Sequence, residues 1–337
     1  MADAARPRPA PGRDPRAEAA ARLDGEHLAL VLEPSPPAVG EPWFADDPVD
    51  PGPLGDGSDL PVVSPVDGRG DHTWGDLCAG DDDLAAWCAD RALAAWRPLP
   101  ALPPTYVETR LALHAVAEHV CSPARHAANG KIGLRFTFRG FGTPFFWAGG
   151  DTRQVRVEGA ALVVEDGGGS HRHPLATLAA AADVAGVPLG APTDVFTPTT
   201  TADPDATLAV DPASAAVVGE WFGVAAAALE QLRADAPADP PARVQLWPEH
   251  FDLATDLGDQ AAGTRVTFGA SPGDAAEPEP YLYVLPWAEV ERGGFWSAES
   301  FTGALLPYRE ILGVEHPRDA VLAFFRQGLA AVDGREA

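Results

Sequence analysis

The order of apolar and polar positions along the chain predicts two similar runs of secondary structure, each with a helix, several strands and a second helix. In the first run, apolar residues recur at helical spacing over about 105–121, and they alternate with polar residues over 132–147 as in a half-buried strand. A strand hairpin is predicted around Gly159, and the second helix of this run over 176–185.

The second run begins at Asp211-Pro212, which is typical of a helix start because aspartate caps the first turn and proline fits its first position. Further elements are predicted as strands at about 243–256, 264–269 and 281–287 and a last helix at 317–332. Strands that come in clusters favour an α+β fold over a doubly wound one. The predicted fold class is therefore α+β, with mostly antiparallel strands flanked by helices in two similar lobes.

Proline, glycine and aspartate dominate the N-terminal part, which predicts an irregular N-terminal wrap around the two lobes. Residues 1–20 show no periodicity and are expected to be disordered. An acidic run that opens at Asp81 indicates the start of one helix. The predicted divisions are an irregular segment at 21–104, a first lobe at 105–190, a linker at 191–210 and a second lobe at 211–333.

The charge balance restricts the classes of partner. Acidic residues outnumber basic ones by 49 to 24, which gives a formal net charge of −25. A field of that sign repels nucleic-acid phosphates and anionic membrane surfaces, so neither is an expected partner. No apolar run is expected to span a membrane and no secretory signal is recognised, which leaves the cytoplasm as the expected location. The oligomeric state stays open.

Two motif-like features suggest chemistry that their geometry does not support. The segment Gly269–Gly273 matches GxSxG, but a nucleophilic serine needs a helix and an amide N–H after it, and Pro272 has no N–H. A turn between strands is predicted there instead. In the segment His114–His119, the two histidines would lie about 140° apart around an α-helix. A surface pair of His114 with Glu118 is therefore expected, and not a zinc site.

The remaining histidine and cysteine patterns predict no metal site. His171 and His173 would share one face of a strand, but two imidazoles without a third ligand do not bind zinc tightly. Cys78, Cys88 and Cys121 form no CxxC pair, and the latter two are expected to be small core residues. There is also no P-loop and no GxGxxG after a strand, so no cofactor is predicted.

The stretch Trp247–Ala254 is the strongest remaining candidate for a site. On a regular strand His250 and Asp252 would point to one side and Glu249 to the other, although Pro248 favours a bulge that would change this order. A carboxylate beside an imidazole raises the pKa of the imidazole, which is the minimum for acid–base catalysis. His250, Asp252 and Glu249 are therefore the catalytic candidates. Alternatively, His250 and Asp252 only form hydrogen bonds with the loop backbone.

A ligand-binding cleft is a further interpretation of the same stretch. It would be formed by Arg139, Trp247, His250, Asp252 and Tyr283. The Arg139 guanidinium would bind a carboxylate or phosphate of the ligand, and the aromatic side chains would form the floor of the cleft or part of the core.

Several short segments, in this order, resemble the bacterial domain-of-unknown-function 5996 family: Arg139–Phe141, Trp247 with Phe251–Ala254, Pro280–Trp287, Leu305–Tyr308 and Ala320–Phe325. Together the matching segments cover about 105–332. The resemblance implies an architecture and no particular chemistry. Members of that family carry an aromatic and histidine-rich run just before the Arg-Gly strand, where this chain has Ala127–Lys131. A site lined by that run would be altered here.

Three function classes follow from the sequence. The first is a protein that binds a small ligand in the aromatic-lined cleft. The second is an acid–base hydrolase or isomerase centred on His250 and Asp252, and the third is a protein-interaction module without a small-molecule site.

Overall fold

The structure, a computed structural model, describes most of the chain after residue 95. The described residues are 32–33, 62–63, 82, 86–87, 90–91, 96–137, 139–144, 146–148, 151–166, 169–236, 238–239, 242 and 244–332. The predictions for residues 1–20, for most of 21–104 and for Cys78 and Cys88 lie outside these ranges. Asp82, Ala86, Trp87 and Asp90 are helical, within the helix predicted to open at Asp81.

The helices of the described residues follow the predicted order. α1 (Tyr106–Val116) continues through a π-helical turn (Ala117–Cys121) into α2 (Ser122–Asn129). The others are α3 (Leu178–Ala185), α4 (Pro212–Asp235), the short α5 (Tyr308–Ile311) and α6 (Pro317–Val332). The first helical run is thus longer than the predicted 105–121, because Pro123 lies near the start of α2, where a proline is tolerated.

The strands form two similar antiparallel sheets and one small pair. The pair joins β1 (Leu32–Glu33) to β2 (Val62–Val63). Strands of the first sheet are β3 (Arg135–Thr137), β4 (Gly140–Gly142), β5 (Phe146–Ala148), β6 (Asp151–Glu158), β7 (Ala161–Asp166) and β8 (Gly169–Pro174). Those of the second are β9 (Ala238–Asp239), β10 (Gln245–Trp247), β11 (Asp252–Asp259), β12 (Val266–Ser271), β13 (Tyr281–Pro286) and β14 (Ala304–Pro307).

Each sheet runs through five strands in chain order. The first has the order β3-β4-β6-β7-β8 with β5 paired to β6, and the second has the order β10-β11-β12-β13-β14 with β9 parallel to β11. The predicted α+β class with two similar helix–strands–helix lobes is therefore confirmed. Two strand predictions were too long. The segment 132–147 is divided among β3, β4 and β5, and the segment 243–256 is the β10–β11 hairpin.

The two lobes meet at the first strand of each sheet. Leu134 and Leu246 exchange both backbone hydrogen bonds, at 2.7 and 2.8 Å, in an antiparallel bridge. Side chains next to this bridge also interact, since Arg135 Nη1 donates to Gln245 Oε1 at 3.1 Å. The junction places β3 beside β10. The β10–β11 hairpin of the second lobe therefore lies against the first lobe.

α4 is the central helix of the core. Asp211 caps it by accepting a hydrogen bond from the Ser214 N–H at 2.9 Å, and Pro212 occupies the first turn, as predicted. The helix packs against both sheets and against α1 and α6. Gly219 permits this close packing, because a Cβ there would lie 2.7 Å from the carbonyl oxygen of Arg139.

By length and composition alone, α4 could cross a membrane over Pro212–Arg233, but 83% of its most apolar window is buried inside the protein. The expectation that no apolar run spans a membrane stays a prediction. Burial between two sheets explains the apolar character of α4, because a helix that is hydrophobic all round is a core helix when protein covers it.

A buried carboxylate attaches the segment before α1 to this core. Glu220 of α4 accepts hydrogen bonds from Arg91 Nε at 2.7 Å, Trp96 Nε1 at 2.9 Å and Arg97 Nη2 at 3.0 Å. Glu220 and Arg91 are both buried. Such a pair is costly to separate, because removing one partner leaves an uncompensated buried charge. Arg91, Trp96 and Arg97 are therefore held against α4.

Candidate functional site

The turn between β10 and β11 sets the geometry of the candidate site. The N–H groups of His250 and Phe251 both donate to the carbonyl oxygen of Trp247, at 3.3 and 2.7 Å. Trp247 and Asp252 face each other as the last pair of the hairpin. Pro248 suits the second position of such a turn because its ring fixes φ. The residues between the two strands therefore form one tight turn, and the predicted strand alternation of Glu249 and His250 does not apply.

Phe251 anchors this turn in the core. Its φ is +55°, a left-handed conformation that costs a non-glycine residue about 1–2 kcal/mol. The conformation directs the ring inward, where it stacks on His114 with centroids 5.1 Å apart and planes 8° apart. Phe141 and Phe222 pack against this ring in T-shaped arrangements, with ring centroids 5.0 and 5.3 Å from that of Phe251. Burial of the aromatic ring offsets the backbone cost and fixes the position of Asp252, the next residue.

Tyr283 is the hydrogen-bond partner of Asp252. The register places Tyr283 on β13 opposite Gly269 on β12, and Gly269 opposite Ala254 on β11. Because Gly269 has no side chain, the Tyr283 ring can lie over it, where a Cβ would overlap the ring. The Tyr283 hydroxyl then reaches along β11 and donates to Asp252 Oδ2.

The second oxygen of Asp252 is left without a donor. Asp252 is 7% exposed, and its Oδ1 accepts no hydrogen bond from the described residues. Glu249 Oε2 is in the same condition. A buried acceptor without a donor costs about 1–3 kcal/mol, so a molecule that supplied a donor to either oxygen would remove that cost.

Burial raises the pKa of Asp252 to about 6, and the negative charge of Glu249 acts in the same direction. The Tyr283 hydrogen bond and the charge of His250 lower the pKa, but they do not cancel the effect of burial. Burial and the Asp252 charge both raise the pKa of Tyr283. Tyr283 therefore keeps its proton and acts as the donor, while Asp252 changes protonation state near pH 6.

The two other catalytic candidates lie in the turn. Burial, together with the charge of Glu118, raises the pKa of the half-buried Glu249. His250 is exposed, and it acts on Asp252 through its charge without a hydrogen bond. The structure thus pairs the Asp252 carboxyl with a tyrosine from another strand and not with the neighbouring histidine.

Arg139 is placed away from this group. It lies in the turn between β3 and β4 with a φ of +61°, and its side chain is exposed. Its carbonyl oxygen accepts a hydrogen bond from Gly159 N–H at 3.3 Å, at the end of β3 opposite to the Leu134 junction. The arginine next to that junction is Arg135. The sequence could not distinguish the two, because alternation does not show which end of a strand meets the other lobe.

His114 pairs with Glu118 as expected from the sequence, but the pair is buried together with His119 and does not lie on the surface. Their exposed fractions are 7%, 0% and 2%. The expectation assumed a regular α-helix, whereas Glu118 and His119 lie in the π-helical turn, which changes their angular positions. Both imidazoles approach Glu118, with His114 Nε2 at 3.6 Å and His119 Nε2 at 3.8 Å from its oxygens.

These three side chains hold loops in place. Glu118 accepts hydrogen bonds from the N–H groups of Thr199 and Thr200, at 2.7 and 2.8 Å. His119 Nδ1 accepts from Ala191 N–H at 3.1 Å, so its proton is on Nε2, which lies 3.1 Å from the carbonyl oxygen of Thr200. His119 is therefore neutral and anchors the connector between the lobes.

His114 extends this arrangement to the candidate site. Its Nε2 lies 2.8 Å from the carbonyl oxygen of Pro248, and its ring stacks on Phe251. Burial lowers the pKa of His114, although Glu118 opposes the effect. α1 thus supports the 247–252 turn through His114. No cluster of three or more His, Cys, Asp or Glu residues suited to a metal occurs within the described ranges.

The other motif predictions have clear outcomes. Ser271 ends β12, and the chain after it continues through a loop to β13, so the GxSxG match is a turn between strands as predicted. Ser271 Oγ accepts a hydrogen bond from Gly273 N–H at 3.1 Å. His171 and His173 both lie on β8 and are exposed. Cys121 is a buried free thiol, and burial raises its pKa to about 12.

No protein-family model, no curated protein and no solved structure matches the chain. The resemblance to the domain-of-unknown-function 5996 family therefore stays a prediction.

Proposed function

We propose that the protein binds a small molecule at the group formed by Trp247, Glu249, Asp252 and Tyr283, which we call the Asp252 site. The observation that carries this proposal is the buried Asp252 Oδ1, which has no hydrogen-bond partner in the described part of the chain although the second carboxyl oxygen is bonded to Tyr283. Trp247 is half-buried and lies directly opposite Asp252 across the hairpin. A few polar groups beside aromatic side chains are typical of the lining of small-molecule sites.

The fixed position of the carboxyl supports binding. Phe251 and His114 immobilise the turn, and Tyr283 immobilises one oxygen of Asp252. A site whose side chains are already held in place loses little conformational entropy when a ligand binds. The net charge of −25 further favours a small ligand over a nucleic acid or an anionic membrane surface.

Acid–base catalysis is a second candidate function, because the pKa of Asp252 is raised to about 6. A carboxyl with a pKa near the working pH can both give and take a proton. In this proposal Asp252 transfers the proton, Tyr283 stabilises its ionised form, and the exposed His250 exchanges protons with water. A family resemblance that implies no activity does not favour either function.

Thermal-shift screening of the full-length protein against a metabolite library tests the binding proposal. We expect at least one compound to stabilise the wild-type protein and to have no effect on Asp252→Asn. Asp256→Asn is the matched control. Asp256 lies on the same strand and accepts a hydrogen bond from Thr267 Oγ1 at 2.6 Å, so this variant should keep the response. A library with no compound that distinguishes the two variants would refute the binding proposal.

Turnover of a bound compound would extend the proposal to catalysis. We expect the rate to depend on a group with a pKa near 6 and to fall in Asp252→Asn, while His250→Ala lowers it less because His250 is exposed. If His250→Ala abolished turnover and Asp252→Asn did not, the assignment of the proton-transferring residue to Asp252 would be wrong.

A further inference from the structure

The unpaired buried atoms of the Asp252 site are hydrogen-bond acceptors. The two buried atoms without partners, Asp252 Oδ1 and Glu249 Oε2, are both carboxylate oxygens. Ionised carboxylates only accept hydrogen bonds. The Tyr283 hydroxyl is already used by Asp252 Oδ2, and the indole N–H of Trp247 is a further donor of the site. A ligand that pairs with the two unpaired carboxylate oxygens must therefore present N–H or O–H donors.

The charges at the site point in the same direction. The negative charge of Glu249 raises the pKa of Asp252, and the negative charge of Glu118 raises the pKa of Glu249. His250 acts on the Asp252 pKa in the opposite direction from Glu249, and its side chain is exposed. A cation bound between the carboxylates would relieve their mutual repulsion, whereas an anion would increase it.

Aromatic side chains border the same carboxyl. Trp247 is the cross-strand neighbour of Asp252, and such pairs have Cβ atoms about 4.5–5.5 Å apart. The rings of Tyr281 and Tyr283 lie 6.2 Å apart on the other side. Indole and phenol faces attract cations within about 6 Å. This border suits an organic cation better than a metal ion, which requires more oxygen ligands than the site provides.

We propose that the ligand of the Asp252 site is an organic cation with N–H donors, namely a primary ammonium group on an apolar or aromatic body. This inference rests on the proposed binding function, because it assigns the chemical class of the same ligand. The ammonium group donates to Asp252 Oδ1 and Glu249 Oε2, and the organic body lies against Trp247.

Calorimetric titration with matched probes tests the ligand class. The amines are n-butylamine, benzylamine, phenethylamine and putrescine, and each monoamine is compared with the alcohol and the carboxylate of the same carbon skeleton. We expect at least one amine to bind the wild-type protein about tenfold or more tightly than its alcohol, because charge-assisted hydrogen bonds are the stronger ones. The carboxylates are expected to show no binding.

Two variants connect the binding to the site. Asp252→Asn keeps the size of the side chain and removes the charge, and we expect it to weaken amine binding about tenfold or more. Glu249→Gln is a second variant in the turn, with a smaller expected loss, and it keeps the test decisive if Asp252→Asn does not fold. The control Asp256→Asn is expected to change the affinity by less than about twofold, because its carboxylate lies elsewhere on the strand.

The outcomes separate the two proposals. Amine binding that is lost in both site variants and kept in the control supports the ligand class. An alcohol or carboxylate that binds as tightly as its amine, and depends on Asp252, overturns the cationic class but leaves the binding site. Absence of Asp252-dependent binding for all probes, together with a library screen without an Asp252-dependent compound, overturns both.

Discussion

Asp252→Asn provides a quantitative test of how the protein accommodates its buried carboxyl. Burial raises the pKa of Asp252 from 3.8 to about 6. At about 1.4 kcal/mol for each pKa unit, ionisation of this one group destabilises the folded protein by about 3 kcal/mol at neutral pH. Asparagine has nearly the same shape and cannot ionise, so the free energy of unfolding of the variant lacks this pH-dependent loss.

The sign of the effect follows from the number of protons bound in each state. Because the pKa is raised in the folded protein, the unfolded chain loses this proton first as the pH rises. The stability contributed by Asp252 is therefore complete below about pH 4, where both states are protonated, and it is lost as the pH rises through about 6. Between pH 5 and pH 8 the expected loss is roughly 1.4 kcal/mol, about half of the total.

Urea denaturation of the wild-type protein, Asp252→Asn and Asp256→Asn at several pH values between 5 and 8 measures this difference. We expect the free energy of unfolding of Asp252→Asn, relative to wild type, to increase by roughly 1.4 kcal/mol over this range. A pH-independent effect of the amide group on stability cancels, because only the change of this difference with pH is compared. The reasoning would be refuted if the stability of Asp252→Asn relative to wild type did not increase with pH. It would also be refuted if Asp256→Asn showed the same increase.

Three other predictions follow from the contacts around the site. Tyr283→Phe removes the donor to Asp252 Oδ2, so the pKa of Asp252 should rise further, which a carbon NMR titration of its carboxyl would show; an unchanged or lower pKa would contradict the assigned donor. Phe251→Ala should lower the free energy of unfolding by about 3–5 kcal/mol in urea denaturation, and a loss below about 1 kcal/mol would exclude Phe251 as the anchor of the turn. Glu220→Ala removes the carboxylate partner of the buried Arg91 and should cost about 3–5 kcal/mol in the same assay; a small loss would show that the attachment of Arg91 to α4 does not depend on Glu220.

The elements that the sequence predicted well are those specified by local chemistry. The start of α4 at Asp211-Pro212 and the hairpin around Gly159 depend on capping and turn preferences of adjacent residues. The dismissal of the GxSxG match likewise depended on one residue, since Pro272 has no amide N–H in any fold.

The features that the sequence predicted incorrectly depend on long-range packing. His114, Glu118 and His119 are buried because the connector between the lobes and the 247–252 turn bond to them, whereas their spacing alone predicted a His114–Glu118 pair on the surface. Arg135, and not Arg139, lies beside the second lobe because of the Leu134–Leu246 bridge between residues more than a hundred positions apart.

The candidate site itself combines both kinds of information. The amino-acid sequence by itself marked Trp247–Ala254 as unusual, because a proline, a histidine and acidic groups interrupt an apolar strand pattern. Only the tertiary structure decided which carboxyl is buried and which group bonds it. Tyr283 reaches Asp252 across two strand pairings and a glycine, and burial that depends on the whole fold raises the pKa of that carboxyl. Local patterns specify turns and periodicity, whereas desolvation and cross-strand partners are properties of the assembled sheets.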